Sequence, residues 1–130
     1  IIKRNKAKIS HGKNHKLWKG YEELSATYFN RLKHGAQKRN HCFNVDIKFL
    51  WELFLKQSKK CALSGLELNF NGSLRECNKT ASLDRIDSSK GYIEGNVQWV
   101  HKLINKMKMD LNQDNFVELC KFVAFNKEVK

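Results

Sequence analysis

Apolar residues recur every fourth position at Leu24, Tyr28, Leu32 and Ala36, a spacing that lays one stripe along a helix over 21–40. Lys33, Lys38 and Arg39 lie off or beside that stripe. A short extended piece at 41–45 leads to Asp46, a residue type that caps helix N-termini, ahead of Phe49, Leu50, Trp51, Leu53 and Phe54. That second helix is a core element. After Lys60 the pattern changes. Segment 61–70 predicts a tight turn at Ser64-Gly65 running into a short strand, 71–79 is a loop, and 80–87 alternates like a second strand. Gly91 and Gly95 bracket a turn, and Val97, Val100, Leu103, Ile104 and Met107 then predict a helix over 97–108. A last helix begins near Asn112 to Asp114 and carries Phe116, Leu119, Cys120 and Val123. The order is α, α, β, β, α, α, an α+β chain without internal repeat.

Composition changes the picture in two ways. The 130 residues are one domain's worth of chain, and 8 Phe, 3 Trp and 3 Tyr are too many to leave unburied, so the chain folds around a single modest core. The formal charge is +12, which makes nucleic acid the default partner. Residues 1–60 hold 15 Lys or Arg against 4 Asp or Glu, whereas 61–130 hold 10 against 9. The first twenty residues, basic and without apolar periodicity, read as an arm able to lie along phosphates or as a solvated terminus. Cys42, Cys61, Cys77 and Cys120 are far apart with no CxxC pair, and no apolar run is long enough for a signal peptide or a membrane span. Reduced thiols in a cytoplasmic protein are expected.

The chemistry-bearing stretch is SLDRIDSSKGYIEGNVQWVHKLINKMK, 82–108. It puts Asp84 and Asp87 at a strand end, Asn96 at a turn and Asn105 on the helix that follows. Two strands and a helix converge on these side chains. A carboxylate and an amide oxygen facing each other across such a joint are hard ligands suited to a divalent cation such as Mg²⁺, which keeps places for water and a phosphate oxygen. Each residue alone has a plainer reading: Asp84 and Asp87 as a turn paired with Arg85 and Lys90, Asn105 as a surface polar position. Their joint spacing points to a site. Trp99 and Met107 read as core, and His11, His15, His34 and His41, set among lysines, as solvated or phosphate-facing.

The pieces arrive in order: Cys61-Ala-Leu-Ser-Gly, Asp84-Arg-Ile-Asp, Gly95-Asn-Val-Gln, then Asn105 and Lys108. Together they resemble the core of the HNH (ββα-metal) endonucleases, in the phage and restriction-type branch with an SLDRID…GY..GNV….N..K pattern, a resemblance that covers about half the chain. The resemblance implies a ββα-metal core with a C-terminal helix over 61–130. The basic arm and helices of 1–60 would be the DNA-contacting part of the same domain. It implies hydrolysis of phosphodiester bonds in double-stranded DNA to leave a 5′ phosphate, with Mg²⁺, or Mn²⁺ in its place, as cofactor. Carried over by position, it makes Asp84 and Asn105 the metal ligands and Asn96 the brace of the loop that joins strand to helix. Lys108 would approach phosphate as a point charge. Apart from the resemblance, Lys33, Lys38 and Arg39 beside the first helix's apolar stripe read as DNA contacts or as its solvated side, and Lys90 as a further DNA contact.

Arg85 stands where the family's usual general base, a histidine, follows the aspartate. Arginine cannot accept a proton near neutral pH, although its fork suits a phosphate. The base is then Asp87, near Asp84, or His101, four residues before Asn105, or else water is activated by the metal alone. The family's frequent zinc, held by two CxxC pairs, would fall on Cys61, Ser64, His101 and Ile104. Two ligands are too few for a closed site, so no structural zinc is expected and the thiols read as small buried hydrophobes. One such site cuts one strand, so double-strand cutting calls for a homodimer, a further domain or sequential nicking. The rival reading is a non-catalytic DNA-binding module in which Arg85 marks the loss of hydrolysis.

Overall fold

Two short strands, β1 (Gly20–Tyr21) and β2 (Leu24–Ser25), pair antiparallel and bring Ser25 to the start of helix α1 (Ala26–Lys38). There the Ser25 hydroxyl accepts from the Tyr28 backbone N–H at 3.1 Å, filling one of the donors a helix start leaves open. The computed structural model describes residues 19–70 and 79–128. The basic arm therefore lies, but for Lys19 and Gly20, outside the described residues, as does Cys77. Strand β3 (Phe43–Asn44) leads into α2 (Ile47–Lys56), capped by Asp46, whose Oδ1 accepts from Phe49 N–H at 2.7 Å. Then come β4 (Ala81–Arg85), β5 (Tyr92–Ile93), β6 (Val97–His101), α3 (Lys102–Lys108) and α4 (Gln113–Glu128).

The unit that positions the site is β4, β6 and α3. β4 and β6 pair antiparallel with Asp84 opposite Gln98 and Ala81 opposite His101, and α3 follows directly to pack on β4. Between the two strands, β5 pairs parallel with β3 and ties the intervening loop to the N-terminal half. That pairing requires Gly91, because a Cβ there would lie 2.7 Å from the Cys42 carbonyl oxygen.

Three expected elements differ. The helix predicted over 21–40 begins only at Ala26, and Leu24 of its stripe lies in β2. The helix predicted over 97–108 is a strand for its first five residues and becomes helical only at Lys102, where the His101 side chain caps it by accepting from Leu103 N–H at 3.1 Å. Val97, Gln98, Trp99 and Val100 are all buried, so this strand has no polar face to show the two-residue alternation. Its apolar positions fall on a helical stripe by coincidence. The strand expected within 61–70 is a turn closed by Gly65 N–H to the Cys61 carbonyl, followed by a single bridge between Lys60 and Glu67. The partner of β4 is β6.

Trp99, wholly buried, organises the core. Its ring meets Tyr28, Phe54 and Phe70, and its indole N–H donates to Leu50 O at 2.8 Å. On the outer edge of β6 the Gln57 amide brackets the Trp99 backbone, accepting from its N–H at 2.9 Å and donating to its carbonyl at 2.8 Å. The strand edge is thereby satisfied without a third strand. Burial pushes the Tyr28 phenol up to about 12, so its hydroxyl stays a donor to Ala81 O at 3.4 Å. Among the described residues no helix is long and apolar enough to cross a membrane.

Candidate active site

Asp84 sits fourth in β4 and is 5% exposed. Across the strand pair, Gln98 Nε2 donates to its Oδ2 at 2.9 Å while also reaching Gln113 Oε1 at 2.7 Å. From α3 the ammonium of Lys108, wholly buried, donates to Asp84 Oδ1 at 3.1 Å and Oδ2 at 3.0 Å and to Arg85 O at 2.8 Å. All three ammonium protons are used, which is the condition under which a lysine can be buried.

Asn105, one turn earlier on α3, donates its amide nitrogen to Ser82 Oγ at 2.7 Å and to Leu83 O at 3.3 Å. Among the described residues no donor is seen on its amide oxygen. Asn96 is buried and staples the 86–91 loop: its Oδ1 accepts from Asp87 N–H at 2.9 Å, and its Nδ2 donates to Asp87 O at 3.1 Å and Gly91 O at 2.8 Å. Those bonds hold the loop that carries Arg85 toward Lys90.

Arg85 is pinned. One guanidinium nitrogen donates to Ser88 O at 2.6 Å and Lys90 O at 3.0 Å and lies 3.4 Å from His41 Nδ1. The other faces Asp110 Oδ1 at 3.7 Å, and the group lies 5.6 Å from the Tyr92 ring centre. Asp87 is committed to its own loop: Oδ1 accepts from Ser89 Oγ at 2.6 Å and Ser89 N–H at 2.9 Å, and the Ser89 hydroxyl leads the effects that hold its carboxyl below the usual range. His101 lies at the far end of the strand pair, three rungs from the Asp84–Gln98 pair, with Nδ1 occupied as the α3 cap.

A cleft of about 470 Å³ opens between α1 and the β4–α3 unit. It brings together Asp84, Asn105, Tyr92 and Asp110 with five basic side chains, Arg31, Arg39, Arg85, Lys102 and Lys106. Lys33 and Lys38 do not join it. Lys33 lines a groove with Phe29 and Phe43, and Lys38 one with Thr27 and His34. Lys90 is exposed and reaches the site through its carbonyl alone among the contacts seen.

Sequence reasoning missed Arg31, Lys102 and Lys106, and read His41 only as solvated or phosphate-facing. The signals for the first three were present: Arg31, Gly35 and Arg39 recur every fourth residue on α1, and Lys102 and Lys106 are four apart, flanking Asn105. His41 had no local signal. Its ring meets Tyr92 edge-on at 6.4 Å, and burial, then the charges of Arg85 and Arg39, push its pKa below the ordinary value, so the imidazole is neutral at neutral pH.

Burial alone would raise the Cys61 thiol, but hydrogen bonds from Ser64 and from the His101, Ser64 and Leu63 backbone outweigh it and bring the thiol below its usual value. Cys61 is buried beside Ser64, Cys42 is exposed, and among the described residues no three His, Cys, Asp or Glu side chains cluster as a metal cage.

The fold has a solved counterpart. Over 85% of this chain and 84% of the other it is similar to the rare-cutting HNH restriction endonuclease PacI, with a TM-score of 0.57 at 17% sequence identity. The chain has an HNH-like fold. In sequence it is 32% identical over 91 residues to an uncharacterized 29.0 kDa protein of Enterobacteria phage T4, encoded in the dda-modA intergenic region. That match takes in 68% of this chain, which spans about a third of the phage protein's length (34%). No family model matches.

For the divalent cation that an HNH-like fold implies, the donor chemistry fits in kind. Asp84 offers a carboxylate and Asn105 an amide oxygen, both hard donors lining one cleft, with the Asn105 nitrogen already committed. The remaining coordination positions would fall to water and phosphate. The buried Lys108 ammonium on the same carboxylate and the basic side chains lining the cleft oppose a cation there.

Proposed function

We propose that this chain is an endonuclease domain of HNH type that hydrolyses phosphodiester bonds of double-stranded DNA in the cleft between α1 and the β4–α3 unit. The observation that carries this reading is the convergence of the Asp84 carboxylate, the oriented Asn105 amide and five basic side chains in that one cleft. Asp84 and Asn105 would hold Mg²⁺ or Mn²⁺, and the bound cation would supply charge stabilisation at the scissile phosphate and the departing 3′ oxygen. Arg39, Lys102 and Lys106 neutralise the non-bridging oxygens and hold the strand against α3. Asn96 keeps the 86–91 loop, and with it Arg85, in register. Lys108 orients the Asp84 carboxylate from behind.

A specific observation favours the second reading, a DNA-binding module without hydrolysis. Arg85 has no acceptor, Asp87 Oδ1 serves its own turn, and His101 Nδ1 caps α3, so each residue at a candidate base position is committed at least in part to the fold. His41, neutral and against Arg85, is a further proton-exchanging group to test.

The experiment is cleavage of supercoiled plasmid at low salt with Mg²⁺, Mn²⁺ or EDTA, comparing the native chain with Asp84→Ala, Asn105→Ala, His41→Ala, Asp87→Ala and His101→Ala. The nuclease reading expects nicked circles before linear product, no cutting in EDTA, and a loss of about 100-fold or more for the first two variants. Folded native protein that retards the plasmid yet never cuts it under either metal moves the assignment to the binding module.

A further inference from the structure

Lys108 does more than fill space. It is wholly buried, and its ammonium lies 3.0 Å from the carboxylate oxygen of Asp84 that Gln98 also contacts and 3.1 Å from the other. The carboxylate charge that Asp84 offers a divalent cation is therefore already balanced from within. Around it the cleft carries five basic side chains against two acidic ones, Asp84 itself and Asp110, and Asp110 faces Arg85. Leaving aside the Arg85–Asp110 and Lys108–Asp84 pairs, Arg31, Arg39 and Lys106 make the charge of the lining positive. Such a surface repels a free dication and attracts a phosphate diester.

We infer that Lys108 acts as an internal cation that keeps divalent metal out of the DNA-free cleft, so that metal and DNA phosphate load the site together. This rests on the nuclease reading and deepens it. An entering phosphate brings one negative charge and non-bridging oxygens, restoring both the anionic field and the ligand number that Asp84 and Asn105 alone do not supply. Coupling of this kind is reciprocal: the factor by which DNA tightens metal binding is the factor by which metal tightens DNA binding. The consequence is a site that carries its metal only with substrate in place, with Lys108 as a positioning residue for the cation.

The test measures Mn²⁺ binding by electron paramagnetic resonance of the free ion, for the protein alone, for the protein with a short duplex of phosphorothioate backbone, and for the duplex alone as background. For the native chain, the duplex is expected to tighten Mn²⁺ binding by about tenfold or more, and Mn²⁺ to tighten duplex binding by the same factor. Lys108→Met in the DNA-free protein is expected to tighten Mn²⁺ by a similar factor. Because that variant removes a buried partner and can fail to fold, circular dichroism accompanies it, and the surface variant Lys106→Gln, expected to tighten Mn²⁺ a few-fold, provides a second arm. Mn²⁺ bound equally well with and without duplex overturns the inference while leaving the nuclease reading in place. A duplex that binds while no Mn²⁺ is taken up beyond the duplex background overturns both.

Discussion

Removing the Asp84 carboxylate leaves a buried ammonium with no counter-charge, and the cost falls on the fold before it falls on any reaction. Lys108 is 0% exposed, so Asp84→Ala is expected to destabilise the chain by about 3–5 kcal/mol in urea unfolding, with Asp84→Ala/Lys108→Met recovering most of the loss. A double variant no more stable than the single one would show that the pair is not the source. His41 gives a pH signature instead. Its folded pKa lies below the ordinary 6.5, so just below that value the unfolded chain binds a proton that the folded chain refuses. Stability is expected to fall as pH drops through that window and to be fully present above it, and His41→Gln should flatten the profile measured by urea unfolding between about pH 5 and 7.5. At this scale the sequence is uneven as a guide. Asp84, Asn96 and Asn105 lie within one short stretch, and their spacing places them at strand, turn and helix. The meeting of His41 with Arg85 joins residues 44 apart through the β3–β5 pairing, which nothing in either segment announces.

Elements were legible where one face is polar and opaque where none is. The caps of α2 and α4 could be read directly, since Asp46 accepts from Phe49 N–H and Asn112 from Asp114 N–H. β6 could not, because burial on both faces erases alternation and leaves a run of apolar residues that suits either period. What makes it a strand is tertiary: β4 on one edge and the Gln57 amide on the other. Gln57→Leu is accordingly expected to cost about 1–3 kcal/mol by leaving Trp99 N–H without its partner, and to speed hydrogen exchange at that amide while exchange in α1 is unchanged. Uniform acceleration across the chain would mean that Gln57 supports the whole fold and not this edge.

At the scale of the molecule, the charge asymmetry acquires a geometry that the sequence only half disclosed. The excess of cations before residue 60 suggested a DNA-contacting first half, and of those cations Arg31 and Arg39 line the cleft together with Gly35 and with Lys102 and Lys106 of α3. Each phosphate neutralised by such a side chain releases counterions, so affinity falls with salt in proportion to the number of contacts. If DNA lies in this cleft, Arg31→Ala and Lys106→Ala should each weaken binding to all sequences alike and reduce the slope of log affinity against log salt by about 1. Lys33→Ala and Lys38→Ala, on grooves of their own, should leave that slope where it is in filter binding or fluorescence anisotropy titrations over the same salt range. The reverse pattern would move the DNA path to the outer faces of α1 and away from Asp84 and Asn105, and hydrolysis in the cleft would then have no strand to act on.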